Sequence, residues 1–141
     1  MNGELVTAAR SYLGVKWRHR GRSVHGLDCA GLGMLAYRDC GVQLPDFVHY
    51  GREPHKDGLV TCMTAALGDP LPSSTPLLDG DVLVLRFDRE PHHVAIVAAA
   101  NYGGTDTFNI IHAEGHVGRV IEQRLTPDML ARVTHHYRKE V

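Results

Sequence analysis

Gly26-Leu27-Asp28-Cys29-Ala30-Gly31-Leu32 is the stretch whose reading decides the fold, and Pro91-His92-His93-Val94-Ala95-Ile96-Val97 complements it about sixty residues later. In the first, Asp28 is a good helix-cap type. Cys29, Leu32, Ala36 and Cys40 then share one stripe of a helix that should end at Gly41. In the second, a histidine opens a run of apolar, β-branched residues typical of a buried strand. A thiol at a helix mouth and an imidazole at a strand end are the minimum parts for acyl transfer at an amide carbonyl.

Working outward, helices precede strands. Residues 2 to 13 predict a helix with Leu5, Ala9, Tyr12 and Leu13 on one face and Gly14 as its stop; a shorter one is expected over 57 to 67, closed by Gly68. Residues 15 to 27 read as a Gly- and Arg-rich loop, and Asp69 to Gly80, with three prolines, as another. Five strands are expected at Val82–Phe87, His93–Ala100, Thr107–Ala113, Arg119–Leu125 and Val133–Arg138. Helices first and antiparallel strands second make an α+β domain. The expected architecture is N-terminal helices packed on a C-terminal antiparallel sheet of about five strands. One domain, 1–141, suits the length.

Composition narrows the function classes. A formal net charge of −1 argues against a general binder of nucleic acid or anionic membrane. Three cysteines, an odd number without CxxC spacing, point to thiols at Cys29, Cys40 and Cys62 rather than to a disulfide framework or a zinc site. No stretch approaches the roughly 18 apolar residues of a spanning helix, and the N-terminus lacks a signal-peptide pattern. The protein is therefore expected in the cytoplasm when made, with another vehicle delivering it to any outside substrate. The ten histidines are the compositional oddity. His49, His55, His135 and His136 read as surface residues, and no spacing among His92, His116, His135 and His136 encodes a metal site. No cofactor and no metal are expected.

The helix N-terminus should stabilise a Cys29 thiolate, lowering its pKa, with the Cys29 N–H as a natural oxyanion donor. His93 shares a strand face with Ala95 and Val97, which turns His92 away. A hairpin turning about Tyr102-Gly103 pairs positions summing to 205, and 93 + 112 = 205; this register sets His112 directly opposite His93, able to orient its ring. Asp28 reads as a helix cap or as a wall of the site. Arg18, Arg20 and Arg22 read either as a solvated loop or as partners for substrate carboxylates.

The order cysteine, histidine, polar orienter resembles the NlpC/P60 cysteine peptidases. Matching pieces are Tyr12-Leu13-Gly14, Gly26-Leu27-Asp28-Cys29-Ala30-Gly31-Leu32, Leu44-Pro45, Gly80-Asp81-Val82-Leu83, His93-Val94-Ala95-Ile96-Val97 and Ile111-His112-Ala113. The resemblance implies a papain-like core and hydrolysis of bonds in peptidoglycan stem peptides, at the γ-D-glutamyl–diaminopimelate link. It also implies Cys29 as nucleophile, His93 as general base and acid, and His112 as orienter with His116 as fallback. Trp17, Arg18, Asp28 and Arg20 would line the substrate site. Trp17-Arg18-His19 is similar to the phage-tail branch, which implies phage-tail or other delivery proteins as partners. Two departures stand out: Trp17 where the family usually has a tyrosine, twelve residues before the cysteine, and Ala30 where serine is common. An alternative is a weak or inactive tail-tip or assembly subunit that keeps the fold. A third reading is an acyltransferase or amidase of the same fold.

Overall fold

Apolar spacing and glycine punctuation place the helices. The computed structural model describes residues 2–46, 58–87 and 90–141. Helix α1 (Gly3–Arg10) buries Leu5, Val6 and Ala9. Helix α2 (Cys29–Asp39) follows a two-residue hairpin, β1 (Arg22–Ser23) and β2 (Gly26–Leu27), within the stretch expected to be loop. Helix α3 (Leu59–Leu67) is closed by Gly68 at φ +89°, a left-handed conformation that costs glycine little. The expected helix start at residue 57, together with His49 and His55, lies outside the described residues.

Five strands follow: β3 (Val82–Phe87), β4 (Glu90–Tyr102), β5 (Thr105–Glu114), β6 (Arg119–Arg124) and β7 (Val133–Tyr137). They form one antiparallel sheet in the order β6-β5-β4-β3-β7. A short helix absent from the expectations, α4 (Pro127–Leu130), starts at Thr126, whose hydroxyl accepts from the Met129 N–H at 3.2 Å. Proline at the first helical position, with its φ already set, favours a helix start there.

The sheet is buried on both faces, so its central strands read as unbroken apolar runs instead of alternating ones. Val84, Val94, Ile96 and Ile111 pack against the three longer helices. Leu83, Leu85, Ala95, Val97 and Ile110 form a second core with Leu125, Phe108, Met129 and Val133. No helix among the described residues is long and apolar enough to cross a membrane.

The hairpin register differs from the expected one. Paired positions sum to 207, as in Ile96 with Ile111 and Tyr102 with Thr105. Gly103 (φ +60°) and Gly104 (φ +87°) take both loop positions, as a two-residue turn with left-handed backbone demands, so Tyr102 stays in the strand. The slip is two residues and preserves parity, which keeps His93 and His112 on one face but makes them diagonal, not directly opposed, neighbours.

Candidate active site

Asp28 assembles the helix mouth. Its carboxylate accepts from the Gly31 N–H at 2.8 Å, the bond that caps α2. It also accepts from the Arg20 N–H and from Arg22 Nη1, each at 2.9 Å. Arg22 reaches on to Asp46 with Nε and Nη2. The guanidinium thus ties the loop to α2, and its expected role with substrate carboxylates gives way to this one. Arg20 sits at φ +61°, a strained conformation for a residue with a Cβ, held by its amide on Asp28. Arg18 is exposed, its stem lying over Gly26.

Cys29 is the first residue of α2 and half-buried. The backbone amides of Ala30 and of Val94, the residue next to His93, favour its thiolate form. Strand geometry explains the second. The Val97 N–H turns toward β3, bonding Asp81 O at 2.8 Å, so by alternation the Val94 N–H turns toward β5. The β4–β5 ladder ends at Ile96–Ile111, two residues short of that amide. The Val94 amide that β5 leaves there is one of the groups that favour the Cys29 thiolate.

The expected lowering of the Cys29 pKa is reversed. Desolvation, followed by the adjacent Asp28 carboxylate, pushes the thiol up to about 12, against the two amides and Arg22. The partial charge of a helix end is smaller than the loss of water around a sulfur beside a carboxylate.

His93 is buried in β4, and its Nε2 lies 2.5 Å from Nδ1 of His112, with the rings edge-to-face at 77°. His112 is buried in β5, and its Nε2 lies 2.9 Å from Gln123 Oε1. Burial lowers the His112 pKa, against Gln123 and the Glu114 charge. His116, the fallback orienter, is exposed in the β5–β6 turn with its N–H on Glu114. The side chain of His92 lies outside the described residues.

Trp17 packs over the same turn. Its backbone N–H donates to Gly118 O at 2.8 Å, and a Cβ added at Gly115 would come within 3.6 Å of the indole. Trp17 also stacks on His19 at 6.4 Å. An open cleft of about 460 Å³, lined by Leu13, Gly14, Val15, Lys16, Val24 and His25, includes none of Cys29, His93 or His112. Among the described residues, no group of three His, Cys, Asp or Glu side chains could hold a metal ion.

A thiol at a helix mouth and a bonded, buried histidine pair on the neighbouring sheet are the parts that nucleophilic attack on a carbonyl needs. The NlpC/P60 family model matches residues 14–139. The chain belongs to the NlpC/P60 family. Solved structures agree on the NlpC/P60 fold. The NlpC/P60 domain of the peptidoglycan hydrolase SagA is 21% identical, with a TM-score of 0.61, over 98% of this chain and 99% of that one. An NlpC/P60 family protein from Bacillus cereus is 22% identical with a TM-score of 0.66. A lipoprotein-like member from Staphylococcus aureus is 18% identical with a TM-score of 0.63. This chain spans 40% of the length of each of these last two. No curated protein matches it.

The residues that sequence reasoning missed here are Gln123 and Met129. Gln123 is a polar residue two positions before the buried Leu125 and on the same face, which is the one signal that could have marked it. His136, expected at the surface, is buried and bonds Asp81 at 2.5 Å, while Arg138 grips the same carboxylate at 2.7 and 2.9 Å. A buried carboxylate needs such partners, and β7 and the residue that follows it supply them beside β3.

Proposed function

We propose that this chain is a cysteine peptidase hydrolysing peptide or isopeptide bonds of peptidoglycan stem peptides, at the γ-D-glutamyl–diaminopimelate link. The observation that carries the reading is a Cys29 thiol at the mouth of α2, influenced by the Val94 amide one residue from a His93 that is itself bonded to His112. With the thiol pKa at about 12, the proton leaves sulfur as attack occurs rather than beforehand. His93 takes it, and the sulfur adds to the carbonyl carbon, the oxyanion facing the Cys29 N–H. Collapse returns the proton to the departing amine and leaves a thioester; water, deprotonated by the same ring, releases the acid and the thiol. Exposed Arg18 and the Arg20 side chain meet the stem carboxylates, with Trp17 and Asp28 walling the site. Phage-tail or other delivery proteins are the partners in this reading, suggested by the Trp17-Arg18-His19 loop.

Purified peptidoglycan incubated with the protein should yield cleaved muropeptides by mass spectrometry, and Cys29→Ala should yield none. Digestion by Cys29→Ala refutes the nucleophile. A second reading, a subunit that keeps the fold without turnover, is favoured by Trp17 in the tyrosine's place and by the raised thiol. Intact muropeptides with the wild-type protein would decide for it.

A further inference from the structure

The histidine pair continues into a third and a fourth side chain. Gln123, on β6, places its Nε2 3.7 Å from the Met129 sulfur and its Oε1 2.9 Å from His112 Nε2. A thioether has no hydrogen to give, so the amide nitrogen belongs on the sulfur side and the carbonyl oxygen faces His112. A carbonyl oxygen only accepts, so His112 must carry its hydrogen on Nε2. Its Nδ1 is then a lone pair, and the 2.5 Å contact requires His93 to donate from Nε2. A neutral His93 ring is left with its basic lone pair on Nδ1.

We propose that Gln123, anchored by Met129, is a positioning residue that sets the tautomers of His112 and, through it, of His93, so that Nδ1 of His93 is the proton acceptor. The inference rests on the reading of His93 as the general base. Gln123 acts through His112, two side chains removed from that base. The β5–β6 register supports this: Gln123 pairs with Ile110 and His112 with Ile121, so the two polar side chains are diagonal neighbours on one face. Burial keeps His112 below its ordinary pKa, consistent with a neutral ring, while Glu114 is the carboxylate whose charge reaches it.

Substitution by glutamate is the sharp test because it preserves shape and reverses the logic. A carboxylate at 123 draws one proton from solvent onto His112, making an imidazolium with hydrogens on both nitrogens. His112 Nδ1 then donates to His93 Nε2, and the His93 hydrogen moves to Nδ1, the wrong tautomer for a base. Two-bond nitrogen–proton correlations on the ¹⁵N-labelled protein, assigned with His93→Asn and His112→Asn, read the ring protonation directly. The expected result is Nε2–H on both rings in the wild type, and in Gln123→Glu a doubly protonated His112 with Nδ1–H on His93. In muropeptide release, Gln123→Glu and Gln123→Leu should each lower kcat about ten- to a hundredfold with KM unchanged, the scale on which supporting side chains act.

A wild-type His112 protonated on Nδ1 overturns the proposal. So do variants that leave both the ring spectra and kcat unaltered. Should Gln123→Leu fail to fold, the wild-type spectrum and Gln123→Glu still decide. Wild-type rings protonated as expected in a protein that digests no peptidoglycan would support the relay and refute the hydrolase.

Discussion

Gly31 and Gly33 lie two residues apart on α2, and alanine at each should change stability with opposite sign. Intrinsic helix propensity favours both substitutions, by up to about 1 kcal/mol. Around Gly33 nothing lies within 4 Å of the added Cβ, so propensity acts alone and Gly33→Ala should stabilise by about 0.5–1 kcal/mol. At Gly31 the Cβ would meet Gly21 O at 2.0 Å and Arg22 Nη1 at 3.0 Å. That oxygen is backbone, so the loop must retreat by about 1 Å, and cores resist such insertions by about 1–3 kcal/mol. The retreat also stretches the Arg20 and Arg22 bonds to Asp28, both 2.9 Å, and hydrogen bonds to a charged group are worth about 1.5–3 kcal/mol each. After the propensity gain, Gly31→Ala should destabilise by about 2–3 kcal/mol. Urea titration gives both values. In a thermal melt the loss corresponds to roughly 6–10 °C for a domain of this size. Because Asp28 precedes Cys29, the same variant should also lose peptidase activity while Gly33→Ala keeps it. A Gly31→Ala protein as stable as Gly33→Ala would refute the packing of this loop onto the helix mouth.

Three further outcomes follow from the electrostatics and the turns. Burial alone would raise Asp81, but Arg138, His136 and the Leu78 N–H outweigh it and hold the carboxyl below its ordinary 3.8. Its contribution is therefore complete above that value and lost as pH falls through the lowered folded value. Asp81→Asn should cost about 3 kcal/mol at neutral pH and remove this part of the acid dependence, measured by denaturant unfolding from pH 7 to 2; an unchanged acid limb would contradict it. For Cys29, with Cys40 and Cys62 replaced by serine, iodoacetamide alkylation should keep accelerating through the alkaline range, as a thiol pKa of about 12 requires. A plateau below pH 8 would show a resting thiolate instead. Gly80, at φ +85°, faces Asn2 so closely that a Cβ would meet the Asn2 Cβ at 2.3 Å and its carbonyl oxygen at 2.4 Å. Gly80→Ala should destabilise by about 3 kcal/mol or more in the same titration, and near-neutrality would place the N-terminus elsewhere.

Much of the architecture was legible because apolar patterning carries it. Val82–Phe87 and the α2 start at Cys29 emerge from apolar runs and from Asp28 as a cap, both local signals. The hairpin register was not, because two glycines in series allow the turn to centre on either side of Gly103, and only the folded backbone selects one. His136 was misjudged for a related reason: its partner Asp81 lies 55 residues away, and nothing near it in the chain marks it as buried. Gln123 carried only the weak signal of a polar residue between Ile121 and Leu125, because its meaning depends on two residues from other elements.

The reversed Cys29 pKa follows from the same geometry that brings the sulfur to β4. The Val94 amide acts on the thiol where the β4–β5 ladder has parted, and there the sulfur is desolvated and next to a buried carboxylate. Removing Asp28 would ease the charge but also release the Gly31 cap and the loop held by Arg20 and Arg22. The fold thus couples a reluctant thiol to a rigid mouth. A base whose accepting nitrogen is set beforehand matters more to such a thiol than to one already ionised. Substitutions in the relay behind His93 should therefore weigh most at neutral pH, and least at high pH, where hydroxide can remove the proton unaided.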